Sequence, residues 1–96
     1  MTFKDIAREL NINYAGELGR NNSYVMDLFS ADDFRDSFSE LSRNRDVIQL
    51  QENNLLNTHS ASILYLYKDR YQINLKADFD SDEYSIIITD LGEDNE

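Results

Sequence analysis

Residues 61 to 77, ASILYLYKDRYQINLKA, contain two runs of alternating side chains that flank a short polar stretch. A period of two is the pattern of a half-buried strand, and two such runs around a tight turn predict a β-hairpin. With Asp69 and Arg70 as the central turn residues, Leu66 faces Ile73 and Leu64 faces Leu75. Leu64, Leu66, Tyr71, Ile73, Leu75 and Ala77 then form the core face, and Ile63, Tyr65, Tyr67, Gln72, Asn74 and Lys76 line the other. A lone hairpin is marginal in water, so further strands and a cover are required. YSIIITDL, after the acidic turn DFDSDE, supplies a third strand with Ile86 and Ile88 inward. VIQLQ, with Val47, Ile48 and Leu50, supplies another before a loop ENNLLNTHS.

The first half of the chain has a different period. Phe3, Ile6, Ala7 and Leu10 recur at helical spacing behind Thr2, which with Asp5 makes an approximate capping box. Residues 11 to 22 are rich in Asn and Gly and predict a turn with at most a short helical piece, because glycine weakens a helix interior by about 1 kcal/mol relative to alanine. Ser23 is placed to cap a new helix carrying Val25, Leu28 and Phe29. Ser30 and Asp33 repeat the capping-box pattern before Phe34, Phe38 and Leu41 at i, i+4 and i+7. This is one bent helix over residues 23 to 43 or two short ones. The expected architecture is α+β, with two or three N-terminal helices packed on a three- or four-stranded antiparallel C-terminal sheet. At 96 residues the chain is expected to form a single domain, helical over residues 1–45 and β over residues 46–91, with an acidic tail at 92–96.

Charge is distributed unevenly. Residues 1 to 48 hold nine acids and six bases; residues 49 to 96 hold ten acids and three bases, and from Ala77 onward there are eight acids and no Lys or Arg. The formal net charge is −10. Such a field repels phosphate and attracts basic surfaces, so direct DNA binding is disfavoured. There is no cysteine, which excludes disulfides, thiolate metal sites and a cysteine nucleophile. No apolar run approaches the roughly 20 residues that span a bilayer, and the start of the chain lacks a leader pattern, so a cytoplasmic protein without membrane attachment is expected.

Motifs for chemistry are incomplete. DFDSDEYSIIIT begins like a calcium loop, with Asp78, Asp80 and Asp82 at positions one, three and five. Position six is Glu83 where the turn needs glycine, and position twelve is Thr89 where a bidentate glutamate belongs. An acidic hairpin turn is the better reading, and no metal or cofactor is expected. His59 is the only histidine, in a polar loop, and neither a nucleophile elbow, a P-loop nor a dinucleotide fingerprint is present. An enzyme is not expected.

TFKDIA, Thr2 to Ala7, resembles the start of the helix-turn-helix of LacI-type repressors. Ala7 occupies the small position where two helices approach, Asn11 stands where the turn glycine belongs, and Ile12, Asn13 and Tyr14 fit the turn and the start of a recognition helix. The resemblance covers about thirteen residues and implies a DNA-binding regulator. It stops at AGELGR, where Glu17 falls on the buried position and Gly16 and Gly19 weaken the helix.

The remaining signal is acidic surface. Asp27, Asp32, Asp33, Asp36 and Glu40 fall on the polar side of the second helical region, and Asp78, Asp80, Asp82, Glu83 and Asp90 crowd the last strand. Tyr65 and Tyr67 offer rigid contact area if their sheet face is open, or packing beneath a helix if it is not. In size, acidity and lack of catalytic motifs the chain is similar to small phage-encoded anti-CRISPR and antirestriction proteins that imitate DNA. That resemblance implies an inhibitor acting in the host cytoplasm, as a monomer or homodimer, on the basic nucleic-acid groove of a CRISPR effector or restriction enzyme. An immunity protein or antitoxin masking a basic toxin site, and a helix-turn-helix transcription regulator, are the alternatives.

Overall fold

The computed structural model describes residues 2–20, 22–55 and 59–92. The elements run α1 (Phe3–Glu9), β1 (Gly16–Arg20), β2 (Ser23–Asp27), α2 (Ala31–Arg43), β3 (Val47–Leu55), β4 (Ser60–Tyr67), β5 (Tyr71–Asp78) and β6 (Glu83–Asp90). The strands form one antiparallel sheet in the order β1-β2-β6-β5-β4-β3. The fold is α+β, but it has two helices and six strands, not two or three helices on three or four strands.

The excess strands come from the first half. Residues 16–27 form a hairpin instead of a turn followed by a helix, with Arg20 opposite Ser23 and only two residues between them. Tyr24 and Met26 are buried while Val25 points to the other face, which is a strand's alternation. Ser23 therefore starts β2 and caps nothing. β3 also extends through Leu55, so the first four of the nine residues of the expected loop ENNLLNTHS are strand; its residues 56–58 lie outside the described residues. A register shift between Gln49 and Gln51 marks a bulge at Leu50.

α1 follows its sequence signals. The Thr2 hydroxyl accepts from the Asp5 amide at 3.1 Å, and the Asp5 carboxylate accepts from the Thr2 amide at 3.0 Å. Asn11, with φ +57°, ends the helix in the left-handed region, while the amides of Asn11 and Ile12 donate to the carbonyls of Arg8 and Ala7. This is a Schellman closure with Asn in the usual glycine position. α2 starts at Ser30, but the Ser30 hydroxyl makes no capping hydrogen bond. Asp33 instead accepts from the Phe29 amide at 3.1 Å. The buried face of α2 is Phe34, Ser37 and Leu41, and Phe38 turns outward.

The β4–β5 register differs by one residue from the expected one. Tyr67 pairs with Tyr71, Tyr65 with Ile73 and Ile63 with Leu75, across a three-residue connection in which Lys68 and Asp69 take φ of +54° and +58°. Ala61, Ile63, Tyr65 and Tyr67 therefore face the core, and Leu64 and Leu66 face the other way. A one-residue slip exchanges the faces of a whole strand.

Both helices lie on one face. Ile6, Ala7, Leu10, Phe34 and Leu41 join a core with Met26, Tyr65, Ile73, Leu75, Ile86 and Ile88. α2 leaves the end of β2 and delivers the chain to β3 at the far edge, four strand spacings away. Its 13 residues reach about 20 Å, which matches four spacings of about 4.8 Å. Among the described residues nothing covers the opposite face. Cross-strand rows run along it: Ser23, Thr89, Gln72, Leu66 and Ile48; then Leu18, Val25, Ile87, Asn74 and Leu64; then Gly16, Asp27, Ser85, Lys76 and Ser62; and last Glu83, Asp78 and Ser60. No helix is long and apolar enough to cross a membrane among the described residues.

Candidate functional site

In an antiparallel sheet, alternate strands bring their opposite termini to a common end. Here one end gathers the last residue of β2 (Asp27), the last of β5 (Asp78), the β5–β6 turn (Asp80 and Asp82), the first of β6 (Glu83) and, through the Leu28–Ser30 connection, the start of α2 (Asp32 and Asp33). Asp27, Asp82 and Glu83 line one depression of about 440 Å³ with Leu28, Tyr84 and Ser85. A second, of about 470 Å³, continues onto the open face between Ser60, Ser62, Lys76, Asp78, Glu83 and Ser85.

Few of these carboxylates are neutralised. Asp32 meets Arg35 at 3.3 Å and Asp80 meets His59 at 3.5 Å, all four side chains well exposed. Asp33 accepts from Asn13 Nδ2 at 3.3 Å as well as from the Phe29 amide. Among the described residues no ion pair holds Asp27, Asp78, Asp82 or Glu83. The Asp78 carboxylate accepts from the amides of Asp80 and Ser81 at 3.2 and 3.4 Å, so it shapes the turn, and the Ser81 hydroxyl donates to Glu83 at 3.3 Å. Burial, then the neighbouring Asp82 carboxylate, holds the Tyr84 phenol above its ordinary pKa. Three calcium-loop aspartates thus form a hydrogen-bonded turn, and no group of three metal-ligating side chains occurs among the described residues.

Aromatic rings stand among these acids. Phe34, Phe79 and Tyr84 form a cluster with ring centroids 5.8–6.0 Å apart, and Phe79, between Asp78 and Asp80, is still 45 % exposed. Phe29 occupies the position just before the N-cap, from which an apolar side chain usually folds onto the residue four positions into the helix. That residue is Phe34, yet Phe29 is 63 % exposed. These two phenylalanines were absent from the sequence-level candidates; the signal was DFD, a large apolar residue flanked by acids in a turn.

Other expected site residues go elsewhere. Tyr65 and Tyr67 are buried beneath the helices and leave the candidate contact surface, as the register correction requires. Asp36 is exposed on α2, and Glu40, nearer the helix end, meets Arg43 at 2.8 Å and Asn11 Nδ2 at 3.4 Å. Asp90 lies at the opposite end of the sheet. There Arg70 Nε and Nη2 donate to its two oxygens at 2.9 and 3.0 Å, and this pairing first, then the Gly92 amide at 2.8 Å, holds the carboxyl below its ordinary pKa. The same end joins the Tyr67 hydroxyl to Glu9 Oε1 at 2.6 Å, with Lys68 Nζ 3.4 Å from the same oxygen. Tyr67 is raised by burial and by Glu9; Glu9 is lowered by the Tyr67 hydrogen bond first and by Lys68.

The helix-turn-helix resemblance extends through α1 and its Asn11 turn and stops there. Residues from Gly16 form β1, where Glu17 is exposed and 3.7 Å from Lys4 Nζ, so the segment presents no recognition helix. No family model, curated protein or solved structure matches the chain.

Proposed function

We propose that the chain is a protein-binding inhibitor that occupies the basic nucleic-acid groove of a bacterial defence nuclease or effector, acting as a DNA mimic. The observation that carries this reading is the end of the sheet where Asp27, Asp78, Asp82 and Glu83 form no ion pair among the described residues and the exposed Phe29 and Phe79 stand on the adjoining connections. Carboxylates fixed on strand ends present charge at set spacings, which steers encounter with a Lys/Arg-lined channel. Exposed aromatic rings within that field supply the desolvated contacts that slow dissociation. A purely acidic surface would give rate without residence; rings alone would give no preference for a basic partner.

The experiment is displacement of labelled duplex DNA from a panel of CRISPR effectors and restriction enzymes, read by fluorescence anisotropy. The chain is expected to displace DNA from at least one of them. Charge reversal at Asp78, Asp80 and Asp82 to Lys should weaken displacement about 100-fold, and Phe79→Ala about 10-fold, mainly through faster release. Displacement that ignores the reversal, failure on every basic enzyme, or a mobility shift of duplex DNA by the chain itself would sink the proposal.

A further inference from the structure

The open sheet face is divided along its strands. Its first two rows, from Ser23 to Ile48 and from Leu18 to Leu64, hold no charged residue. The next two hold Asp27, Asp78 and Glu83 against a single Lys76, and lead to the acidic turn of Asp80 and Asp82. The neutral strip carries Leu18, Val25, Ile87, Leu64, Leu66 and Ile48, of which Leu18 and Ile48 are 56 and 54 % exposed. Five strands in each of two rows give a strip of roughly 24 Å by 14 Å, or about 330 Å². That is well below the roughly 800 Å² that each partner gives to a stable complex of two folded domains. It is instead the footprint of one α-helix, about 10–12 Å across and about 24 Å long over roughly 16 residues.

The sheet already takes a helix in this way on its core face, where α2 runs from β2 across to β3. Helices on both faces of one sheet are a stable layer arrangement. Charge then fixes what stands beside the apolar side of a second helix. The depression of about 470 Å³ between Ser60, Ser62, Asp78, Glu83 and Ser85 opens along the strip, and Ile87 belongs to both. Lys76 is the single base among its described lining residues. The hydroxyls and carboxylates there accept hydrogen bonds, and an arginine supplies five donors in one plane. We infer that the open face docks a basic amphipathic helix of a protein partner, its apolar side along the neutral strip and an arginine of its flank in the depression between Asp78 and Glu83. The inference goes beyond the proposed inhibition and does not rest on it: it assigns a second contact surface and a helical occupant, whichever protein supplies the helix.

Fluorescence anisotropy with a designed, labelled peptide tests this. The probe has about 16 residues, leucines at i, i+3, i+4 and i+7 spacing and arginines along one flank. The expected result is micromolar binding at about 0.15 M salt. The same residues in scrambled order, which keep the charge but form no apolar side, should bind about 10-fold more weakly, as should the peptide with glutamine in place of arginine. On the chain, Leu64→Thr and Ile87→Thr keep β-propensity and should each raise the dissociation constant about 10-fold. Leu18→Thr, at an exposed edge position, gives the same direction of effect should either variant unfold the chain by circular dichroism. Glu83→Gln should weaken the arginine peptide about 5-fold and leave the glutamine peptide unchanged. No binding, equal binding of the scrambled peptide, indifference to the threonine variants, or binding lost with Asp80→Lys and Asp82→Lys alone overturns the inference. So does a dimer by sedimentation velocity that Leu18→Thr dissolves. Neither DNA nor a nuclease enters this assay, so failure of either proposal can be told from failure of the other.

Discussion

The two ends of the sheet use the same residue types for different purposes. At the end where α1 and β6 finish, Glu9 receives the Tyr67 hydroxyl and Lys68, and Asp90 receives both arms of Arg70. At the other end Asp27, Asp78, Asp82 and Glu83 face solvent and form no ion pair among the described residues, and two exposed phenylalanines lie on the same connections. Acids at the first end hold strands and helix together. Acids at the second leave a directed field that the fold does not need. Net charge alone, identical for any arrangement of these residues, conceals the distinction.

The comparison breaks most visibly at Tyr67. Truncation to Ala removes a buried ring from beneath α1 and should destabilise the fold by about 3–5 kcal/mol, whereas Phe, which loses only the hydroxyl, should lose about 1 kcal/mol. Urea titration separates the two, and equal small losses would show that the first end is not structural. Acid should act next. Glu9 and Asp90 both have folded pKa values below their ordinary ones, so their contribution is fully present above the unfolded values near 4 and is lost as pH falls through the folded values. The urea midpoint should therefore fall as the solution is acidified from about pH 5 to about pH 2, and Asp90→Asn should flatten some of that fall. An unchanged profile in the variant would mean that the Arg70 pair contributes nothing. The smallest effect belongs to the other end: the triple change of Asp78, Asp80 and Asp82 to Asn keeps the turn's acceptors and should alter stability by no more than about 0.5 kcal/mol, slightly upward at low salt. A large loss in that variant would make both ends structural.

How much of this was legible follows from how many features agreed at each place. α1 was, because cap, apolar period and the Asn11 turn all point the same way. β5 and β6 were, because their polar and apolar sides are clearly separated. β4 was not, since Ile63, Tyr65 and Tyr67 compete with Leu64 and Leu66, and LYKDRY contains no Asn-Gly or Asp-Gly to set the loop length. The larger aromatic set prevails and is buried. The β1–β2 hairpin did carry a signal in Asn21-Asn22 between ELGR and SYVMD, but Gly16 and Gly19 and the capping potential of Ser23 suggested a broken helix. The candidate site was half visible: the acids of the β5–β6 turn could be read directly, while their meeting with Asp27 and Phe29 depends on that hairpin.

The pairing of β2 with β6 has one more consequence. Every other neighbouring pair in the sheet joins strands adjacent in the chain, so each closes a short hairpin. β2 meets β6 only after α2 and three strands have intervened. Loop-closure entropy grows with the logarithm of loop length, so the equilibrium penalty is modest, but the search must be completed before the contact stabilises anything. The meander β3–β6 can assemble locally, and docking of β2 is the long-range step. Until it occurs, Asp27 and Phe29 are not held beside the β5–β6 turn, and the acidic end becomes a single surface only with the last strand-to-strand closure.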